Sequence, residues 1–313
     1  MTEIERLLNE GFIQDDFINE EERCGFTVTT SRKKIWAIEL DLLKEFDRVC
    51  KKHGLTYYVI AGSALGAARH HGFIPWDDDI DVAMVRSEYE KLCEIGPSEF
   101  DTPYFFQTHY TDFGAMWGHA KLRNGFTTCI SGLDINYKRS INQGIFLDIF
   151  PMDNVIDDEK LFEKQKKWAD FYRRNAKRFA YATNKGFRYH SNKKTNTLYK
   201  ILAILFGPIN HILSTLLWKR FEAVCQRYNN RDTDNFSLLS FEFNKKWMQS
   251  RNDYTDITYL AFEFIEVPVC KNYEHSLSML YGDWHKFVRG GSQHEGFYVD
   301  ADLPYQNFFI RRN

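Results

Sequence analysis

The sequence predicts an α+β fold in which a sheet core carries flanking helices. Between residues 30 and 156, short apolar runs of strand length alternate with segments whose apolar residues recur at helical spacing. From Asp157 to about Asn230 the pattern is helical almost throughout, and neither an internal repeat nor a low-complexity linker divides the chain. We therefore expect a core over residues 30–156 and a mainly helical region over residues 157–313 that packs on it.

The individual elements of this core follow from periodicity and from boundary residues. Apolar positions at helical spacing predict a first helix, which a glycine ends. Short apolar runs bounded by turn residues predict strands. In chain order we expect a helix at Ser31–Lys52 ending at Gly54, a strand at Tyr57–Ala61, a helix from Gly62-Ser63, a strand at Ile80–Val85, a helix capped by Ser87 and closed at Gly96-Pro97, and strands at Tyr104–Gln107, Met116–Leu122 and Gly144–Phe150.

Residues 61–84 hold the most informative motif of the chain. A Gly-Ser pair opens a short apolar helix pattern, and after a Pro-Trp turn four carboxylates fall within five positions. Residues two apart in a strand share a face, so Asp79 and Asp81 point together and suit a hard divalent cation. The helix start at Gly62-Ser63 offers free N–H groups and a positive dipole end, which suit phosphate. This combination indicates metal-assisted phosphoryl or nucleotidyl transfer.

Two other interpretations compete for these carboxylates. A solvated turn, typical of aspartate after a Pro-Trp pair, accounts for Asp77 and Asp78. It does not account for Asp79 and Asp81, which alternate with apolar residues. A calcium-binding EF-hand frame fails because its sixth position requires glycine and this chain has Val82 there. A catalytic metal site is therefore favoured over both.

Asp148 is the third carboxylate that the sequence singles out. It is the single charge in the apolar run Ile145–Phe150. A buried carboxylate has to be paired or metal-bound, since an isolated charge is costly away from water. The competing interpretation is a buried aspartate that caps a neighbouring loop.

An ordered set of motifs resembles the LicD family, which includes fukutin and fukutin-related protein. The segment Gly62–Met84 carries the most specific likeness, and the shorter blocks occur in family order over about residues 35–153 and 257–285. These shorter blocks are Lys121–Asn124 with Thr127-Thr128, Gly144–Asp153, Phe262-Glu263 with Val267-Pro268, and Tyr281–Trp284.

The resemblance implies a nucleotidyltransferase-like mixed sheet and a phosphotransferase. Such an enzyme moves a phosphorylated alcohol, for example phosphocholine, from a CDP-linked donor to a cell-surface or lipid-linked glycan and releases CMP. The resemblance assigns Asp79, Asp81 and Asp148 to Mg²⁺, with Mn²⁺ as the alternative ion. Asp77 is then either a further ligand or the base that takes the proton of the acceptor hydroxyl.

Six further positions are predicted to bind substrate. Ser63 is expected to cap the phosphate-facing helix, and the three cations among the six would neutralise phosphate oxygens, although each alone is more commonly a surface charge. His294 would contact the donor or the acceptor, although a lone histidine in a loop usually contacts neither. The polar segment Asn124–Asn142 is expected to form a loop over the site. The six candidates are Gly62, Ser63, Arg69, Lys121, Arg123 and His294.

Two alternative functions stay open at this point. A nucleotidyltransferase that adds a nucleotide to a small hydroxylated acceptor would use the same core. An inactive sugar- or nucleotide-binding protein is disfavoured, because every expected carboxylate is present. Nucleic acid is not expected as a partner, since no recognised module with stacking platforms accompanies the basic residues.

Cysteine use and the N-terminus predict a cytoplasmic protein. The 313 residues carry a formal net charge of −2 and six cysteines without paired spacing, which indicates reduced thiols. The first residues are charged and lack the apolar stretch of a signal peptide. The Gly290-Gly291 pair predicts a flexible tail segment.

A basic stretch followed by an apolar one raises the question of membrane contact. Eleven basic residues and two acidic ones lie between Glu163 and Lys194, directly before the apolar segment Leu198–Trp218. Gly207-Pro208 and Asn210-His211 interrupt the apolar sequence, which argues against a spanning helix of ~20 unbroken apolar residues. A solvated face beside a core helical hairpin is one interpretation, and a peripheral element at the inner face of the membrane is the other.

Overall fold

The structure, a computed structural model, describes residues 1–132, 134, 141–183, 193–291, 294 and 296–310. The strands are β1 Glu21–Arg23, β2 Phe26–Val28, β3 Tyr58–Val59, β4 Asp81–Val85, β5 Tyr104–Gln107, β6 Ala120–Asn124, β7 Thr128–Ile130, β8 Ile145–Asn154, β9 Asn235–Ser237, β10 Gln249–Ser250, β11 Ile257–Phe262, β12 Ile265–Cys270 and β13 Tyr298–Asp300. The helices are α1 Glu3–Asn9, α2 Thr30–His53, α3 Ala61–His70, α4 Arg86–Glu99, α5 Glu159–Tyr181, α6 Lys193–Cys225, α7 Tyr273–Tyr281 and α8 Tyr305–Ile310, with 3₁₀ turns at Gln226–Tyr228 and Arg251–Tyr254.

Strand β8 is the centre of a mixed sheet, to which the described residues contribute seven strands. All ten of its residues are buried, as its nearly unbroken apolar sequence predicts for a central strand. It runs parallel to β4 on one side. On the other side it pairs antiparallel with β6 and, at its end, with β9. Strands β3, β5 and β10 extend this sheet, which confirms the predicted α+β class.

Helix α2 covers one face of the sheet and contributes much of the core. It begins after Thr29, whose side chain accepts a hydrogen bond from Arg32 N–H, and it ends at Gly54 in the left-handed conformation. Both ends agree with the predicted helix. Its Trp36 is fully buried and stacks on Phe73 with ring centroids 4.6 Å apart. Trp36 also donates a hydrogen bond to Asp77 O, so this stack contacts the segment that carries the four aspartates.

The predicted ends of the fourth helix are wrong. Val85 rather than Ser87 precedes the helix, and α4 continues through Pro97 to Glu99. Pro97 has no N–H to donate, so the helix lacks one intrahelical hydrogen bond in its last turn but continues past it. Gly96 serves packing instead of termination, because a Cβ there would lie 2.8 Å from the Phe106 ring.

Several strand boundaries also shift. The strand predicted at Met116–Leu122 is Ala120–Asn124, and the one predicted at Gly144–Phe150 extends to Asn154. The predicted loop Asn124–Asn142 contains β7, which pairs antiparallel with β13 near the C-terminus. Residues 133 and 135–140 of that segment lie outside the described residues.

The helical region after residue 156 is not separate from the sheet. Helices α5 and α6 follow as predicted, but β9 and β10 belong to the same sheet as β8. Helix α6 is continuous through Gly207-Pro208, which interrupts its apolar sequence but not the helix itself. Lys185 and Arg188 of the basic stretch lie outside the described residues. Within the described part of the chain, none of the helices combines the length and the apolar character that crossing a membrane requires.

Candidate active site

Three charged residues lie side by side on neighbouring strands. In the parallel β4–β8 pair, Asp81 is the register partner of Asp148. In the antiparallel β6–β8 pair, the partner of Asp148 is Lys121. Register partners face the same side of a sheet, so Asp81, Asp148 and Lys121 form one row across three strands. We call this the central row.

The carboxylate in the middle of this row is paired with two nitrogen groups. Lys121 Nζ lies 2.5 Å and His119 Nε2 3.0 Å from Asp148 Oδ1. Burial alone would raise the pKa of Asp148, but the neighbouring Lys121 and His119 hold it below its usual range. The ammonium group of Lys121 also lies 3.3 Å from the centre of the Phe146 ring. Asp148 is therefore a stable anion, and sequence reasoning did not anticipate His119.

Asp79 lies just before β4 and Asp81 is its first residue, so the two carboxylates do not share a strand as the sequence predicted. Burial and neighbouring carboxylates raise the pKa values of Asp79 and Asp81 well above their usual range. Ser63 holds their backbone, since its hydroxyl accepts a hydrogen bond from Asp81 N–H at 2.9 Å and donates one to Asp79 O at 3.4 Å. The predicted capping role of Ser63 is therefore wrong: Ile60 is the N-cap of α3, and no side chain caps that helix.

Asp77 lies against the first turn of α3. A Cβ on Gly62 would be 2.9 Å from Asp77 Oδ2, so a larger residue there would require this carboxylate to shift. Arg32 Nη1 and Trp36 Nε1 each donate a hydrogen bond of 2.9 Å to Asp77 O and fix the turn. Burial raises the pKa of Asp77 to about 6. The start of α3, which the sequence predicted to bind phosphate, thus faces the carboxylate of Asp77. The positive end of the helix dipole stabilises this negative charge.

His294 reaches the site from near the C-terminus. Its Nδ1 lies 3.1 Å from Asp78 Oδ1 and 3.8 Å from Asp79 Oδ2. Burial opposes protonation of this imidazole, but the hydrogen bond to Asp78 and the charge of Asp79 raise its pKa overall. Asp78 therefore takes part in the site, although the sequence assigned it to a solvated turn.

The donor set suits a divalent cation that prefers oxygen. Among the described residues, Asp78, Asp79 and His294 each offer a ligand atom within 4.8 Å of the others. Asp81 and Asp148 add carboxylates on adjacent strands. Burial, and after it the neighbouring carboxylates, raise the pKa values of Asp79 and Asp81, and a bound cation relieves repulsion of the second kind. These residues therefore fit Mg²⁺ or Mn²⁺. The predicted ligands Asp79, Asp81 and Asp148 do not converge as closely as Asp78, Asp79 and His294 do.

A cavity of about 370 Å³ opens beside the aspartates. Arg69 lines it and donates to Trp284 O at 3.1 Å. Gly290 and Gly291, predicted as a flexible tail, also form part of its wall. We call it the aromatic cavity, and its other lining residues include Gly62, Trp76, Asp77, Asp79, Asp81, Trp247, Tyr281, Trp284 and Lys286.

A second cavity, of about 230 Å³, opens on the side of Lys121 and is called here the basic cavity. Arg123 is buried in its wall and donates to Gln107 Oε1 and to Gly144 O, both at 2.6 Å. A smaller space of about 170 Å³ is lined by residues of both, among them Asp79 and Lys121. The central row therefore lies between two recesses. Further residues of the basic cavity are Trp117, Ser131, Asp134, Gln143, Phe146, Lys177, Tyr181 and His294.

A partly buried ion pair supports the turn before the aspartates from a distant part of the chain. Glu263, at the tip of the β11–β12 hairpin, receives two hydrogen bonds from Arg23 at 2.5 and 2.8 Å. It also accepts Phe73 N–H at 3.1 Å. The Phe262-Glu263 block of the sequence thus positions the aspartate segment. Its contact with that segment could not be read from local patterns.

The chain is similar in sequence to several known proteins. Residues 54–189 match the family described as LicD/FKTN/FKRP, nucleotidyltransferase domain. The chain is 29% identical over 252 residues to lipopolysaccharide cholinephosphotransferase LicD of Haemophilus influenzae, and the aligned region covers 79% of this chain and 88% of that protein. It is also 34% identical over 70 residues to an uncharacterised protein of Rickettsia prowazekii, with 22% and 24% of the two chains covered.

Proposed function

Since the chain carries a LicD-family nucleotidyltransferase domain at residues 54–189, we propose that it is a phosphotransferase. It moves a phospho-alcohol, with phosphocholine as the first candidate, from a CDP-linked donor to a cell-surface or lipid-linked glycan and releases CMP. Similarity over most of both chains to a lipopolysaccharide cholinephosphotransferase supports this proposal. A lipopolysaccharide is the corresponding acceptor class.

The central row between two cavities is the observation that carries the proposal. Asp81, Asp148 and Lys121 are register partners on adjacent strands, so their relative positions are fixed by backbone hydrogen bonds. A recess on each side leaves space for a donor and an acceptor that meet at the carboxylates. Rigid elements that hold charged groups around a reacting phosphoryl group supply positioning and electrostatic stabilisation, the main requirements of this chemistry.

The proposed reaction exchanges one phosphorus–oxygen bond for another. The acceptor hydroxyl oxygen bonds to the alcohol-bearing phosphorus of the donor, while the bond from that phosphorus to the oxygen of CMP breaks. Asp77, with a pKa of about 6, is suited to receive the hydroxyl proton. A bound Mg²⁺ would neutralise diphosphate charge, with Asp79, Asp81 and Asp148 as its proposed ligands. Arg69 and Lys286 in the aromatic cavity are cations for the donor phosphates.

The aromatic cavity favours choline over other alcohols. Trp76, Trp247, Tyr281 and Trp284 line the same recess as the aspartates. Aromatic rings attract quaternary ammonium groups, and a box of such rings is a common way to recognise choline. Ribitol and glycerol carry no cation and would lack this attraction.

The test is product release from purified protein with Mg²⁺ and a lipopolysaccharide acceptor. Separate reactions contain CDP-choline, CDP-ethanolamine, CDP-ribitol, CDP-glycerol, CTP or ATP. We expect CMP release that needs both acceptor and a CDP-alcohol and is fastest with CDP-choline. CDP-ethanolamine is the matched control, because it lacks only the methyl groups. Pyrophosphate release from CTP or ATP would instead identify the nucleotidyltransferase, and sugar binding without turnover would identify the binding protein.

Replacing the carboxylates tests their assignment. We expect Asp79→Asn, Asp81→Asn and Asp148→Asn each to lower CMP release by at least ~100-fold, since each removes a charge from the site. Asp256→Asn is the control, because that carboxylate lies at the surface beside Lys271. Circular dichroism checks that the variants fold. Wild-type turnover by the Asp79→Asn, Asp81→Asn double variant would contradict the assignment.

We also propose a cytoplasmic location. All six cysteines lie within the described residues, and each carries a free thiol. Cysteines that form no disulfide bond are usual where the environment is reducing. Nucleotide-activated donors such as CDP-alcohols would be used in the same compartment.

A further inference from the structure

Helices α5 and α6 form an antiparallel pair that is fastened along its length. Gln165 Nε2 donates to Val224 O at 2.7 Å near one end. Ser214 Oγ donates to Ala176 O at 2.9 Å, and Asn210 Nδ2 to Ala182 O at 3.4 Å further along. Trp218 and Phe221 are buried on the same side of α6 as Ser214. The polar groups named here are hydrogen-bonded between the two helices, and the apolar side chains of this inner face are buried.

The opposite side of α6 is apolar and exposed. Side chains spaced three or four residues apart fall on one face of a helix, and five large apolar ones do so here. Each is between 50% and 65% exposed, so the pair leaves this face without protein cover. Fifteen residue steps give the stripe a length of about 22 Å. The residues of this apolar stripe are Ile201, Leu205, Ile209, Ile212 and Leu216.

The helices that carry the stripe are strongly basic. The sequence of α5 holds eight basic and three acidic residues, and that of α6 holds five basic residues and one acidic residue. Lys219 and Arg220 are exposed directly after the stripe, and Lys164, Lys167 and Arg174 are exposed on α5. An apolar face flanked by lysine and arginine is typical of helices that lie in the interface of an anionic bilayer.

We infer that the α5–α6 pair docks on an anionic membrane surface, with the apolar stripe in the boundary between headgroups and acyl chains. The flanking cations would contact lipid phosphates, and their long stems allow the charges to stay in the polar layer. A second copy of the chain is a poorer occupant, because a symmetric contact would bring the two cationic borders together. This inference stands on the surface of the helix pair and does not depend on the transfer reaction.

The same helix connects this surface with the site. Lys177 and Tyr181 of α5 line the basic cavity together with Lys121. Docking through α5 and α6 would therefore hold that cavity near the lipid headgroups. If the proposed function holds, the basic cavity is the one that faces a lipid-borne acceptor.

Vesicle flotation of the full chain tests the inference. We expect the protein to float with vesicles of roughly three parts phosphatidylcholine to one part phosphatidylglycerol at about 50 mM salt, and much less with phosphatidylcholine alone. The Ile209→Glu, Ile212→Glu double variant should float at least ~10-fold less, because it places two charges in the stripe. Tyr259→Glu, an exposed aromatic residue on β11, should float like the wild type.

Three results would overturn the inference. One is failure of the wild type to float with anionic vesicles at low salt. Another is equal flotation of wild type and double variant, with unchanged melting temperatures showing that both are folded. The third is a dimer in solution that the double variant dissociates while neither protein binds vesicles, which would assign the stripe to a second copy. None of these readouts uses CMP release, so the reaction and the docking surface are tested separately.

Discussion

Lys121 combines two roles that are usually carried by different residues. It neutralises Asp148 at 2.5 Å and lines the basic cavity. Burial lowers the pKa of its ammonium group, while Asp148 opposes that change. Lys121 is therefore a buried cation that lies between Asp148 and the basic cavity. A phosphate that enters the recess would meet a charge whose position is already fixed.

Glu39 is a second buried residue whose charge state follows from its surroundings. Its Oε2 is buried and makes no hydrogen bond in the structure. Burial, and then the charges of Asp79, Asp148 and Asp78, raise its pKa well above the usual range. In the unfolded chain the same carboxyl group titrates near its ordinary value of about 4.3. The folded protein thus keeps a proton that the unfolded chain has released.

We expect Glu39→Gln to make stability less dependent on pH. Because the folded pKa is the higher one, wild-type stability falls as pH rises from the unfolded pKa to the folded pKa and stays lower above it. Glutamine cannot ionise, so the melting temperature of the variant should exceed that of the wild type increasingly over this window. Each pKa unit corresponds to about 1.4 kcal/mol. Glu94→Gln, exposed on α4, is the control, and parallel melting curves for wild type and Glu39→Gln would contradict the expectation.

The residues that could be predicted are those whose local pattern conflicts with burial. Asp79 and Asp81 alternate with apolar residues, and Asp148 interrupts an apolar strand, so each needed a functional explanation. His119 and Glu39 could not be predicted in this way. His119 lies just before β6 and contacts Asp148 across the sheet, and Glu39 lies on a helix whose buried face is set by packing.

At the scale of elements, the start of β4 depends on α3. We expect Ser63→Ala to leave Asp81 N–H without its partner, which costs roughly 1–3 kcal/mol of folding free energy for a buried group. The aspartates would also lose their fixed orientation, so CMP release should fall more than stability alone explains. Thermal melting and CMP release measure the two effects.

The control for this change is another serine that bonds to the backbone. Ser98 Oγ donates to Ile95 O at 2.8 Å near the end of α4, far from the aspartates. Ser98→Ala should therefore change neither readout appreciably. Unaltered turnover in Ser63→Ala would show that the strand start holds its position without the hydroxyl.

The elements that sequence patterns predicted well are those stabilised by local signals. Helix α2 has an N-cap and a terminal glycine, and β8 has an apolar run of its own. The end of α4 and the strand β7 were predicted wrongly, since both depend on distant partners. Gly96 packs against Phe106, and β7 is a strand because β13 pairs with it.

At the scale of the whole molecule, the carboxylate cluster links metal binding to stability. A cation that binds only the folded chain adds stability as its concentration exceeds the dissociation constant, about 1.4 kcal/mol at tenfold excess. We expect Mg²⁺ or Mn²⁺ to raise the melting temperature of the wild type by roughly 2 °C or more. Chelator should reverse the shift. Differential scanning fluorimetry gives this measurement.

The melting temperature of the Asp79→Asn, Asp81→Asn double variant should differ from that of the wild type in opposite directions without and with metal. Without metal it should melt higher than the wild type, because the burial of charge and the repulsion between carboxylates, which together raise both pKa values, are removed. With metal it should gain little. An equal metal shift in wild type and variant would indicate that these aspartates do not hold the ion.

The pairing of β7 with β13 has a consequence for biosynthesis. The two strands come from the middle and the end of the chain, and His294 lies just before β13. Translation proceeds from the N-terminus, so the aspartate segment is made well before the segment that carries His294 and β13, which lies 216 residues beyond Asp78. The nascent chain can thus form most of the sheet while it still lacks the histidine that contacts Asp78. Assembly of the site therefore waits for the segment that carries His294 and β13, which is synthesised after the strands of the central sheet.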